Sequence, residues 1–106
     1  MPFPPQPPHP FTWEKVEALQ PNQLGCFGVL RRNQWIFVGA GDIRAELINL
    51  LAGRQPCVLA ARPTHWMHVL TADMQHEAAR LIRELEPTCN QQSIGVASRR
   101  ASFPED

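Results

Sequence analysis

Apolar side chains recur along this chain at two spacings. Leu24 to Leu30 and Trp35 to Gly39 are short runs rich in apolar, aromatic or β-branched residues, and the Arg31-Arg32-Asn33-Gln34 stretch between them is polar. This predicts two strands joined by a turn, an antiparallel hairpin with two arginines at its tip. Thr64 to Leu70 predicts a third strand. Alternation there puts His65, Met67 and Val69 on one face and Trp66, His68 and Leu70 on the other. Elsewhere the spacing is helical. Ile43, Leu47, Leu50 and Leu51 follow Asp42, a good N-cap, and end at Gly53. Met74, Ala78, Leu81, Ile82 and Leu85 mark the buried stripe of a helix from about Ala72 to Leu85, stopped by Pro87. A shorter helix is expected from Thr12 to Leu19, capped by Thr12, with Trp13, Val16 and Leu19 toward a core. Arg54 to Pro63 reads as a connection carrying the apolar patch Cys57 to Ala61.

The expected architecture is therefore α+β: a small three-stranded antiparallel sheet flanked by helices. Residues 1–10 contain six prolines and are expected to form a proline-rich arm, extended and floppy or laid on the surface. Residues 11–90 form the domain, and residues 91–106, poor in large apolar side chains, are expected to be a flexible tail.

Composition narrows the picture. The chain has 106 residues, 43% of them hydrophobic, enough for one modest core. Ten basic residues balance ten acidic ones, so overall charge does not drive nucleic-acid binding. Charge is uneven, however. Arg31, Arg32, Arg44, Arg54 and Arg62 face only Asp42 and Glu46 in the same stretch, a local excess of three. No run is long enough to span a membrane, and the start lacks the cationic and apolar pattern of a secretory signal. Cys26, Cys57 and Cys89 show no metal-binding spacing, and three reduced thiols in a cytoplasmic protein are expected. Tyrosine is absent altogether.

Four short strings then stand in a telling order: Gly25-Cys26-Phe27, Phe37-Val38-Gly39, Gly41-Asp42-Ile43-Arg44-Ala45, and Leu81 through Asn90 with its proline before the asparagine. Together, over about residues 12–90, they resemble the GIY-YIG nuclease domain. The resemblance implies that family's fold and a phosphodiesterase site. Such a site uses a tyrosine hydroxyl or an activated water, an arginine on the phosphate, and a helix glutamate holding Mg²⁺ or Mn²⁺. Carried over residue by residue, the working groups are missing. Phe27 and Phe37 stand where the motifs have tyrosine. Glu46 stands at the arginine position. Ala78, four residues before Ile82, stands at the metal glutamate. Asn90 alone keeps its identity. Arg44 lies about 200° around the helix from Glu46, and Glu77 about 100° from Ala78. Loss of proton handler, phosphate clamp and metal ligand together removes the main barrier-lowering contributions.

The resemblance thus implies a catalytically degenerate domain that binds rather than cuts, with no cofactor. Nucleic acid, either DNA or RNA, would be held by Arg31, Arg32, Arg44 and Arg62, with His65 lining the site; a protein partner is the other candidate ligand, through an aromatic face or the proline-rich arm. Two alternatives stay open. One is an active nuclease using Glu46, Glu77 and His65 around a metal; the other is a structural subunit of a larger assembly. Two further sets carry less. His65, His68 and His76 sit on different faces or elements. Cys26 alternates with Phe27, so it points away from the motif face and from any histidine partner there. Trp13, Trp35 and Trp66 are expected to anchor core and rim.

Overall fold

The computed structural model describes residues 3–90. The hairpin forms as read: β2, Leu24–Arg31, pairs antiparallel with β3, Gln34–Asp42. β3 continues past Gly39 to Asp42, whose carboxylate then caps helix α2, Ile43–Leu51, by accepting the Ala45 N–H. The same carboxylate accepts the Gln23 N–H, so one side chain ties the start of β2 to the start of α2. Gly53, at φ 88°, closes α2 in the left-handed conformation. β4, His65–Leu70, lies antiparallel on the other side of β2, and α4, Met74–Leu85, follows it.

Helices cover both faces of the sheet because β2 and β4 alternate two apolar sets. Phe27, Val29 and Trp66 point to the first face, where α2 contributes Ile43, Leu47 and Leu50 and α1, Trp13–Glu17, contributes Val16. Cys26, Met67 and Val69 point to the second face, against Ala78, Leu81, Ile82 and Leu85 of α4. The pairing register slips between Val29 and Leu30, leaving Ile36 of β3 opposite no residue. Ile36 and Phe37 consequently both pack against the first-face core.

Four features depart from the sequence reading. The sheet has four strands, not three, in the order β1-β4-β2-β3. The added strand is β1, His9–Pro10, within the proline-rich arm; it pairs His9 with Trp66 and Pro10 with His65. The arm is part of the body. Phe3 is 1% exposed in the second-face core, 5.3 Å from the Trp35 ring, so the arm wraps from that face around the β4 edge. Proline tolerates this place because the outer side of an edge strand needs no N–H.

Second, Pro56–Ala60 forms a short helix, α3, where a connection was expected. Proline sits in its first turn, where its missing N–H is harmless. Third, α3 brings Cys57 to Cys89, and the two form a disulfide, with Cα atoms 5.8 Å apart. Only Cys26 remains a thiol among the described residues. The expectation of three reduced cysteines is therefore corrected, and the argument for a cytoplasmic location that rested on it falls away. Fourth, Trp13 is 46% exposed rather than core-facing; Val16 alone of that helix is buried. No helix among the described residues is long and apolar enough to cross a membrane. The expected tail, 91–106, lies outside the described residues.

Candidate functional site

The motif positions do not gather at one surface. Phe27 is fully buried, and its ring centroid lies 6.4 Å from that of Phe37, both against the first face. The two motif glycines have packing reasons. A Cβ at Gly25 would collide with the Val69 carbonyl oxygen of β4, and one at Gly39 would stand 2.6 Å from the Phe27 ring. Glu46 projects from α2 beside Gly41, on the first-face side. Ala78 packs on the second face, so the sheet stands between it and the other three.

Asn90 is 8% exposed and is committed to β3. Its Oδ1 accepts the Val38 N–H at 2.6 Å and its Nδ2 donates to the Val38 carbonyl at 3.0 Å. β3 is an edge strand, and the amide supplies the pairing that a further strand would give. A divalent ion does not fit what remains. Ala78 offers no donor atom. The Glu77 carboxylate is held by Arg80 at 2.6 and 3.2 Å, which keeps its pKa below the ordinary carboxylate value. Glu46 on α2, Glu77 on α4 and His65 at the start of β4 lie in three separate places, so the metal-centred alternative has no common site.

The basic residues divide between the two ends of the sheet. Arg31 and Arg32 sit at the β2–β3 turn. Arg31 donates to the Arg62 carbonyl at 3.3 Å, and His65 is paired with Leu30 of β2, so Arg31, Arg32, Arg62 and His65 share one end. Both Arg32 and Arg62 adopt φ 58°, turning the chain sharply at this end. Arg44 is in the first turn of α2, beside the start of β2. Seven residue steps of β2 at ~3.3 Å put it about 23 Å from the tip.

A cleft among the described residues lies on the β4 side and runs from Gln23 and Arg44, beside the start of β2, to the His9–Trp66 pair, which stands level with Val29 of β2. It measures about 100 Å³ and is lined by His9, Leu19, Gln20, Gln23, Ile43, Arg44, Trp66 and His68. Its wall is a ring cluster: His9 lies 4.5 Å from Trp66 and 5.5 Å from His68 by centroid. The indole N–H of Trp66 donates to the Pro10 carbonyl at 3.2 Å. Gln6 holds the cluster together. Its Nε2 donates to the His68 carbonyl at 2.8 Å, and its Oε1 accepts the His68 backbone N–H at 3.0 Å. The same oxygen lies 3.1 Å from both His9 Nε2 and His68 Nδ1. Burial lowers the pKa of His9. It lowers that of His68 too, with the neighbouring His9 adding to the effect.

His9 and Gln6 were missed in the sequence because a proline-rich arm suggested nothing to dock. The available signal was the third strand: as an edge it needed cover, and Trp66 and His68 on one face gave aromatic surface for it. His65 was favoured as the lining histidine, yet alternation turns it to the other face, and its Nδ1 meets Thr64 Oγ1 at 3.0 Å. His76, exposed on α4, lies 3.4 Å from Asp73. Cys26 faces α4 and donates to the Met74 carbonyl at 3.2 Å; burial raises its pKa, so it is a poor nucleophile. Comparison with known proteins finds no matching family model, no matching curated sequence and no matching solved structure.

Proposed function

We propose that this chain is a binding domain on a GIY-YIG-like frame that lacks phosphodiesterase chemistry and holds nucleic acid by its phosphates at the arginine tip. The order strand, strand, helix, short helix, strand, helix around an inner β2 supports the frame. One observation carries the loss of chemistry. Phe27, where the resemblance implies a tyrosine, is a ring sealed in the core with no hydroxyl; Ala78 lies across the sheet from it, which counts against the residue-by-residue correspondence at the metal position. The tip supports the ligand class: Arg31, Arg32 and Arg62 are three guanidiniums at one sheet end, each able to fork onto phosphate oxygens. The expected Arg44 contact is left out of this surface by its distance.

The test is anisotropy with labelled single-stranded DNA and RNA over a salt series. Three phosphate contacts predict a log–log slope of about −2 on a single strand. The triple change Arg31→Gln, Arg32→Gln, Arg62→Gln should abolish binding, while Arg44→Gln should leave it. Salt-independent binding, or binding untouched by the triple change, would refute the tip. Cleavage in Mg²⁺ or Mn²⁺ that tracks with side chains of this protein would refute the loss of chemistry.

A further inference from the structure

The cleft between His9, His68 and Arg44 has a composition that suits one kind of ligand. Its polar lining consists of a guanidinium, two imidazoles and two carboxamides, and no carboxylate is among the lining residues. Arg44 is half-buried and forms no ion pair with a described residue; its one hydrogen bond is a long one, 3.4 Å, from Nε to the Glu17 carbonyl. A cation in the first turn of a helix works against the helix dipole, so helix stability does not account for it. Neither Glu17 nor Asp42 forms an ion pair with it. Glu17 meets Arg44 through its backbone oxygen, and the Asp42 carboxylate is engaged by the N–H groups of Gln23 and Ala45.

The imidazoles add a proton-dependent element. Gln6 Oε1 is fixed as an acceptor by the His68 backbone N–H, so a neutral ring that hydrogen-bonds to it must carry its proton on His9 Nε2 or His68 Nδ1. The second nitrogen of each ring, His9 Nδ1 and His68 Nε2, is then a bare lone pair. An added proton lands there and turns an acceptor into a charged donor. Two such rings with centroids 5.5 Å apart, beside Arg44, oppose one another's charge unless an anion sits among them.

The geometry points to an oxyanion site: the cleft takes a phosphate, sulfate or carboxylate group on Arg44 and the His9–His68 pair, and takes up a proton as it does so. The volume of about 100 Å³ is enough for such a group. The cleft shares no lining residue with Arg31, Arg32 and Arg62, so either can fail alone.

The test uses the full chain and sulfate, whose charge is constant across the imidazole range. Binding is measured one pH unit above and one below ~6.5 by calorimetry, and the four histidine ring signals are followed by NMR through a pH titration. Sulfate should bind at least about fivefold more tightly at the lower pH, and should raise the His9 or His68 midpoint while leaving those of His65 and His76 in place. Arg44→Gln should abolish the effect, and His68→Gln should flatten the pH dependence. A trinucleotide with and without a 5′-phosphate then assigns the source. Displacement of sulfate by the phosphorylated form alone marks a terminal phosphate, and displacement by neither marks a free anion. Unmoved midpoints for both His9 and His68, or equal movement of all four histidines, would overturn the proposal, and neither outcome depends on a variant folding.

Discussion

Asn90 has a mechanical task in the structure that can be weighed. Its amide makes two hydrogen bonds to one peptide group of an edge strand, at 2.6 and 3.0 Å, in a site where the asparagine is 8% exposed. Asn90→Ala removes both. Each bond contributes about 1 kcal/mol net, and a buried N–H or C=O left without a partner costs about 1–3 kcal/mol. The Val38 group lies at a sheet edge, where water can reach part of it after truncation, so the expected loss is about 2–4 kcal/mol. For a domain of this size that is a fall in Tm of roughly 10–30 °C. Urea denaturation followed by tryptophan fluorescence measures it. Asn90→Asp sharpens the test. The carboxylate still accepts the Val38 N–H but presents a second acceptor to the Val38 carbonyl, and burial disfavours its charge. This variant should recover stability relative to wild type as pH falls through the carboxylate range, because a protonated carboxyl again donates. A loss under about 0.5 kcal/mol for Asn90→Ala, the level of an ordinary surface change, would show that the amide does not hold the edge. So would the absence of any acid recovery in the aspartate variant.

The disulfide closes a 32-residue separation, and loop-closure entropy assigns it about 4 kcal/mol, so Cys57→Ser should lower the urea-derived stability by that order. An unchanged midpoint would show that the cross-link adds nothing. Phe27→Tyr should cost about 1–3 kcal/mol by burying a hydroxyl in a fully enclosed site, and should yield no nuclease activity; gel assays on plasmid in Mg²⁺ or Mn²⁺ check the second part. Phe3→Ala should destabilise by about 3–5 kcal/mol, because Phe3 is 1% exposed in the second-face core; a mobile arm would predict no change. His9 and His68 both have pKa values lowered in the folded state, so the unfolded chain binds more protons. Their contribution is complete above ~6.5 and is lost as pH falls below it, and combining His9→Gln with His68→Gln should flatten that part of the stability curve.

The elements held in one register by a single pattern were legible. Alternation in Thr64 to Leu70 separates Met67 and Val69 from Trp66, and the structure puts the first two against α4 and Trp66 on the other face. Asp42 and Thr12 were readable as caps since a short oxygen-bearing side chain before a helical stripe has little else to do; each accepts an N–H three residues on. Trp13 was misplaced because its helix, at five residues, is too short for a stripe to fix which side faces inward. The disulfide was invisible for a different reason. Cysteine pairing depends on where α3 sets Cys57 in space, and 32 intervening residues leave no local trace of that.

The arm shows why the candidate site was the hardest part to read. Between Phe3 and Pro10 only Phe3, Gln6 and His9 have a backbone N–H, so the usual signature of a strand, a run able to both donate and accept, is missing. The structure makes up for this with a side chain. The Gln6 amide meets both the N–H and the C=O of His68, doing for β4, beyond the two residues that pair with β1, what Asn90 does for the β3 edge. β3 and the part of β4 that β1 leaves uncovered are thus each closed by one carboxamide from a segment near the end of the described residues. Side-chain pairing of this kind has no periodicity, and a pattern of apolar and polar positions cannot reveal it. The cleft inherits the same obscurity: His9 belongs to it only because Gln6 docks the arm, and Arg44 gains meaning only once the histidines stand beside it.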